Sequence, residues 1–304
     1  MTPVRLLLIA NVRAQTVTPR RATVIERALA SDFDVDLVHT THRGHATELA
    51  RDAAKFDLVV AMGGDGTVNE VANGLAGSRT PLAIIPGGGA NVFARSLGMP
   101  EDPIEATGHL LAIRDRAPRR VTLGRAEDRY FLFSCGLGLD GAIVRTLERR
   151  RNLRRAMGQA SYLWSGLTSY WFRFERRTPR VSVRWGTELE HRRDGLFLAI
   201  CQNADPYTYL GDRPMRVCPG AGLDIGLDVL ALDRAGLWFL LRTVARSFGR
   251  GRHARSRHAL SLHDQERIEL LAEVAMPAQM DGEYVGERSR LLLEAVPGAL
   301  SVLA

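Results

Sequence analysis

One stretch constrains this chain more than any other. The apolar run Phe56-Asp57-Leu58-Val59-Val60-Ala61-Met62 passes directly into Gly63-Gly64-Asp65-Gly66-Thr67-Val68-Asn69-Glu70-Val71. The run has the length and β-branched content of a buried strand, and residues 68–76 read as a helix. Strand, glycine turn and helix in immediate succession form the repeating unit of an open parallel sheet. The glycines let backbone amides point into one concavity, and the amino end of a helix adds partial positive charge, so the loop suits a phosphate. It lacks the Lys-Ser/Thr of a Walker A loop and the G-x-G-x-x-G spacing of a dinucleotide turn. Thr67 and Glu70 stand at capping-box spacing and are expected to start the helix. Asp65 fits such a loop less simply, because a carboxylate beside a phosphate repels it unless magnesium or a hydrogen-bond network intervenes.

The pattern recurs through the first 120 residues. Strand-like segments at 4–10, 35–39, 58–62 and 82–85 alternate with helix-compatible segments at 22–30, 48–54, 68–76 and 92–97. This predicts a mostly parallel, doubly wound sheet, with any ligand beyond the carboxyl ends of its strands. Pro86-Gly87-Gly88-Gly89-Ala90-Asn91 repeats the strand–glycine–helix order. Three successive glycines cost folding entropy, which points to close approach of the backbone to a ligand or to another loop. After about residue 121 short strand-like pieces dominate (129–135, 180–185, 196–202, 227–232, 268–271, 279–280 and 291–295), as in a largely antiparallel second domain.

Charge and composition narrow the classes. With 45% hydrophobic and 25% charged residues, global disorder is excluded. Cys135, Cys201 and Cys218 show no zinc or redox spacing, and His39, His42, His45 and His191 show no metal-ligand spacing. No apolar run reaches the length of a membrane span, so a cytoplasmic protein is expected. The net charge is +7, yet residues 145–180 alone carry +8 and residues 234–257 carry +7, which leaves the remainder acidic. Two arginine-rich segments therefore face something anionic. Within the first, Leu153, Met157, Ala160, Trp164, Leu167, Trp171 and Phe174 fall on one helical face; residues 237–248 of the second invite the same choice between a core-facing and an interfacial helix. Nothing reads as a helix-turn-helix or an RNA-binding sheet, so nucleic acid is not an expected partner. The oligomeric state is left open.

Late in the chain, Met280-Asp281-Gly282-Glu283 reads first as a hairpin turn, and its two carboxylates could also take a hydroxyl proton. Taken in order, GGDGTVNEV, PGGGANVFARSLGMP, QNADPYTYLGDRPMRVCPGAGLDIGLDVL and MDGEYVGE resemble the prokaryotic branch of the diacylglycerol kinase and sphingosine kinase superfamily across nearly the whole chain. The NEV continuation and the late DGE separate this resemblance from the GGDG loops of NAD kinases and phosphofructokinases.

The resemblance implies an ATP-dependent lipid kinase acting on diacylglycerol, with a nucleotide domain at 1–121, a β-sandwich-like lipid domain at 122–289 and a tail at 290–304 returning to the first domain. ATP and lipid would meet in a cleft between the domains, and the enzyme would reach its lipid at the inner face of a membrane through the arginine-rich segments. The same superfold admits a sphingoid base, NAD or a sugar as acceptor, and a silent lipid-binding regulator is a further alternative. By resemblance Asn11 (followed by Val12, where the family usually has proline), Thr40, Gly63, Gly64, Asp65, Gly66, Thr67, Asn69, Gly87, Gly88, Gly89 and Asn91 bind the nucleotide. Asp281 and Glu283 form the acidic pair, one of them the base, and Asp65 holds the nucleotide's magnesium or its waters. Two departures concern a structural magnesium. Val92 and Ile225 stand where the family has aspartates, leaving Asp224 as the surviving carboxylate, and losing two hard oxygen ligands implies that this site is absent while magnesium still arrives with ATP.

Overall fold

Strands that are apolar at every position need cover on both faces, and that requirement organises the amino-terminal part of the chain. The computed structural model describes residues 4–149, 180–249 and 251–304. The chain divides into two compact units, one formed by Met1–Leu123 with Pro297–Ala304, the other by Gly124–Val296.

In the first unit, β1 (Val4–Ala10), β2 (Phe33–His39), β3 (Leu58–Gly63) and β4 (Leu82–Pro86) run parallel in the order β2-β1-β3-β4. Leu6, Leu8, Val60, Met62 and Ile85 share a core with Ala22, Ile25 and Leu29 of α1 (Pro19–Leu29) and with Leu110 and Ile113. The alternate residues Leu7, Ile9, Val59, Ala61 and Ile84 are buried as well. Of the next two helices, α3 (Asp65–Leu75) packs on β3 and β4, and α2 (His45–Arg51) packs on α3. A Cβ on Gly74 would come within 2.6 Å of Ala50 Cβ and the Thr47 carbonyl oxygen, so this helix pair approaches as closely as glycine permits. After the short α4 (Val92–Ser96), α5 (Pro103–Ile113) opens with Asp102 accepting from the Ile104 and Glu105 amides and with Pro103 in its first turn. The last residues complete this unit. Val302 pairs in parallel with Leu82, the Leu303 amide donates to the Leu82 carbonyl at 2.9 Å, and the Leu303 side chain joins the α1–α5 core.

In the second unit, the last three residues of β5 (Arg119–Ala126) form a hairpin with β6 (Arg129–Phe131). The main strands are β7 (Ser134–Gly138), β8 (Val181–Trp185), β9 (His191–Leu196), β10 (Leu198–Gln202), β13 (Leu227–Leu232), β14 (Ala259–Gln265), β15 (Arg267–Met280) and β16 (Glu283–Val302), with β11 (Thr208–Leu210) and β12 (Arg213–Met215) as a separate small hairpin. They pair antiparallel in the order β14-β13-β10-β7-β15, with β16 and β8 also on β15 and β9 on β8. Cys135, Leu137, Val183, Ala199, Val229, Ile268, Leu270 and Leu293 fill the core. The helix α6 (Leu139–Arg149) packs on β15, and α7 (Leu237–Ser247) covers a second apolar cluster. No helix among the described residues is long and apolar enough to cross a membrane.

Several local expectations are corrected. Residues 268–271, 279–280 and 291–295 are pieces of two long strands, β15 and β16. The alternation was hidden by register shifts at Leu271/Met276 and Ala278/Gln279. Helices α5 and α6 were not anticipated, and α2 gives way after Arg51 to a 3-10 turn at Ala53–Lys55. The aromatic stripe from Leu153 to Phe174 and its neighbouring arginines lie outside the described residues.

Candidate functional site

Asn11, Thr40, Gly63, Gly64 and Gly87 stand at or just beyond the carboxyl ends of parallel strands, where ligands of an open sheet collect, and Asn69 lies inside the helix that follows β3. Asn11 follows β1, its amide bonding the Met62 carbonyl at 2.9 Å and its Nδ2 donating to Thr67 Oγ1 at 2.9 Å. Thr40 follows β2, with its amide on the Ala10 carbonyl at 3.0 Å. Beyond β3 the helix starts at Asp65, three residues earlier than expected, with Gly64 as its cap and no capping side chain. The capping-box expectation is therefore overturned. Thr67 already lies inside the helix and accepts from Asn11, and Glu70 turns away to accept the amides of Gly44 and Ala46 at 3.0 and 3.3 Å. Those bonds fasten the loop after Thr40 to α3. Asn69 is buried and takes the Asn73 side-chain amide at 3.2 Å.

The second glycine loop lies against the first. The Gly87 amide donates to the Gly63 carbonyl at 2.8 Å, and a Cβ on Gly88 would sit 2.7 Å from Gly64 Cα. Of the two partners expected for three consecutive glycines, the structure shows the other loop. Asn91, in the left-handed region at φ 45°, closes its own turn by accepting from the Gly88 amide at 2.8 Å and donating to the Gly88 carbonyl at 3.0 Å. Gly89 lies beside Gln15, whose Oε1 a Cβ would meet at 3.0 Å. Asp65 Oδ1 accepts the Phe93 amide at 3.3 Å, tying the start of α3 to α4. The result is a rigid pair of backbone loops under an uncapped helix start, a setting that stabilises an anion through amide dipoles.

In the second unit Asp281 and Gly282 form the two-residue turn between β15 and β16, with φ of 48° and 74° as a type I′ hairpin requires. The hairpin places Asp281 in a buried position. Its Oδ2 accepts the Leu132 amide at 2.7 Å, and its Oδ1 accepts those of Phe133 and Ser134 at 2.9 and 3.0 Å. Glu283 is half-buried and paired with Arg129 at 2.7 Å.

Sequence reasoning missed the network behind this hairpin. Asp140, in the first turn of α6, accepts from Tyr207 Oη at 2.5 Å and from Gln279 Nε2 at 2.8 Å, while Gln279 Oε1 holds the Gly282 amide at 2.9 Å. Burial pushes the Asp140 carboxyl above the usual carboxylate range, against the pull of the Tyr207 and Gln279 hydrogen bonds. A signal was present. Ser134–Gly138 followed by Leu139–Arg149 is a further strand–glycine–helix junction with an acid in the first helical turn.

Asp224 is exposed and next to the apolar Ile225, and Val92 is buried in α4. No three His, Cys, Asp or Glu side chains among the described residues converge as a metal-ligand set. A single exposed carboxylate does not make the hard-oxygen cage of a resident magnesium, so no chemical step is assigned to one.

Residues 5–126 match the family model of the diacylglycerol kinase catalytic domain, and residues 134–304 match that of the YegS C-terminal NAD kinase beta sandwich-like domain. A diacylglycerol kinase of Bacillus subtilis is 30% identical over 87% of this chain and 84% of its own length. A Pseudomonas aeruginosa protein named "Probable lipid kinase YegS-like" is 30% identical over 98% of this chain and 93% of its own. Among solved structures, a diacylglycerol kinase from Bacillus anthracis superposes with a TM-score of 0.77 at 24% identity, covering 100% and 98% of the two chains. An NAD kinase from Archaeoglobus fulgidus in complex with ATP reaches 0.57 at 14% identity, over 98% and 93%, and shares the fold.

Proposed function

The chain belongs to the diacylglycerol kinase catalytic-domain family of lipid kinases, and from that premise we propose that it transfers the γ-phosphate of magnesium-ATP to a lipid hydroxyl, diacylglycerol being the acceptor. The observation that carries the reading is the pair of glycine loops locked backbone to backbone, Gly64 against Gly88, beneath the uncapped start of α3. Phosphoryl transfer passes through a loose transition state, so the protein's task is positioning and charge stabilisation. The loops from Gly63 to Thr67 and from Gly87 to Asn91 would hold the phosphates, the amides of Thr67, Gly87 and Gly88 being spent on shaping the loops themselves, with Asn11, Thr40 and Asn69 setting the loop walls. Asp65 would face the magnesium that the nucleotide brings.

Of the acidic pair, Asp281 is the better candidate to accept the hydroxyl proton, because three backbone amides fix its carboxylate in one orientation. Glu283, held on Arg129, would orient the hydroxyl or steady the hairpin. An acceptor with two acyl chains stays in its bilayer, so the enzyme would work at a lipid surface.

The test incubates the purified full chain with γ-labelled ATP and, in separate reactions, with vesicles containing diacylglycerol, vesicles containing sphingosine, dissolved NAD or dissolved glucose. Label is expected in phosphatidic acid. Label in NAD or sugar would replace the acceptor and keep the nucleotide site. Absence of any heat with magnesium-ATP in calorimetry, with vesicles present, would remove the nucleotide reading itself.

A further inference from the structure

Helix α7 has two unlike faces. Leu237, Phe239 and Leu240 pack on the cluster of Leu198, Ile200, Leu230 and Leu232. Phe239 meets the His258 ring edge-on at 5.7 Å, and the Ser247 carbonyl accepts the Arg216 amide at 2.8 Å, so the helix is fastened along its inner side and at its end. On the outer side, Trp238, Leu241, Arg242, Ala245 and Arg246 recur at helical spacing and are all exposed. Trp238 is 82% exposed and Leu241, one turn on, 47%. An indole displayed to that extent beside a second apolar side chain leaves a large area wet that a helix serving only as core cover would bury.

Charge decides what the face suits. Arg242 and Arg246 are exposed on this face, Arg234 just before the helix and Arg252, Arg255 and Arg257 in the segment after it are exposed too, and the sequence from 234 to 257 contains no Asp or Glu. The first turn of α7 carries no acid, although the helix dipole would favour one. A one-signed field around an apolar ridge complements an extended anionic surface with a greasy interior. A tryptophan has an apolar body and a polar tip suited to the boundary between headgroups and acyl chains, and arginine can lay its stem on the apolar side while its head meets the phosphates.

We propose that the outer face of α7 is an interfacial anchor that seats the protein on an anionic bilayer, with Trp238 and Leu241 entering the headgroup boundary and the flanking arginines against the lipid phosphates. This rests on the lipid-acceptor reading above and names the surface through which that acceptor is approached.

The experiment sediments the full chain with phosphatidylcholine vesicles, with and without phosphatidylglycerol. Wild type should bind the anionic vesicles and lose them as salt rises, since the attraction is screened within about a Debye length. Trp238→Ser with Leu241→Ser should weaken anionic-vesicle binding about tenfold, and Trp238→Phe should restore most of it. Arg242→Glu with Arg246→Glu should reproduce in low salt the loss that wild type shows in high salt. Brominated lipid should quench a tryptophan signal that Trp238→Phe lacks. Turnover of a dispersed short-chain diacylglycerol should be unchanged in every variant. Serine variants that bind anionic vesicles as wild type does would overturn the anchor and leave the kinase reading in place. A wild-type dimer that the same variants split in sedimentation velocity would assign the face to a second copy and equally overturn it. Vesicle binding through Trp238 by a chain that labels no lipid would keep the anchor and sink the kinase reading.

Discussion

Replacing Asp281 by alanine removes a carboxylate and strands the amides of Leu132, Phe133 and Ser134, which it accepts at 2.7, 2.9 and 3.0 Å in a buried position. Each buried donor left without a partner costs about 1–3 kcal/mol, and relaxation recovers part of that. Asp281→Ala should thus lower unfolding free energy by about 3 kcal/mol or more as well as slow turnover, whereas Asp281→Asn keeps an acceptor oxygen and should lose less stability. Turnover should fall by about two to four orders of magnitude in both variants, the range for losing a positioned base. Urea unfolding and initial rates on the same preparations separate the two effects, and near-normal rates for Asp281→Asn would refute the proposed proton acceptor. The sequence offered Asp281-Gly282 first as a hairpin and second as chemistry, and the structure shows the hairpin, which aims the carboxylate at the amides. Glu70 was misread. Its spacing from Thr67 is local, but the amides it serves, at Gly44 and Ala46, are brought close only by the packing of α2 on α3.

At the scale of elements, glycine inside α3 is unfavourable for the helix itself. Gly74→Ala would gain about 1 kcal/mol in helix propensity. Against that, the new methyl would stand 2.6 Å from both Ala50 Cβ and the Thr47 carbonyl oxygen, and overpacking of this kind costs about 1–3 kcal/mol. Backbone cannot swing aside as a long side chain can, so the clash should win. The net loss is expected at up to about 2 kcal/mol by urea unfolding, and a more stable variant would show that the two helices can separate. The same elements show what a single sequence discloses. β1, β3 and β4 were legible because burial on both faces writes a continuous apolar run. α5 carried its signal in Asp102-Pro103, a cap followed by proline, but its apolar residues run on through Leu110, Leu111, Ala112 and Ile113 and blur the helical period. The long strands β15 and β16 were fragmented in sequence because bulges shift which residues face inward.

For the molecule as a whole, the two units invite different perturbations. Three carboxyls of the second unit, Asp140, Asp205 and Asp228, are pushed above their ordinary range by burial. For Asp205 burial outweighs the pull of Arg216 and raises the value from 3.8 to about 6. A carboxyl raised by folding supports the fold while protonated, so its contribution is complete below the unfolded value and is lost as the pH climbs through the folded one. Between pH of about 4 and about 6 the thermal midpoint should therefore fall more steeply for wild type than for Asp205→Asn. Parallel slopes would place the pH dependence elsewhere. The first unit is tested from its far end. Leu303 is nearly 300 positions from β1 along the chain, yet it shares a core with Leu6, Leu8 and Met62 and is 5% exposed. Cutting it to alanine opens a cavity in that core and should cost about 2–4 kcal/mol, the range for a buried leucine. The site of the loss is more telling than its size. Because Pro297–Ala304 belongs to the same compact unit as β1, β3 and β4, hydrogen exchange in Leu303→Ala should accelerate at the amides of those strands while β10 and β13 keep their protection. Acceleration confined to β10 and β13 would mean that the last residues support the second unit instead, and the tail's place in the amino-terminal sheet would have to be abandoned.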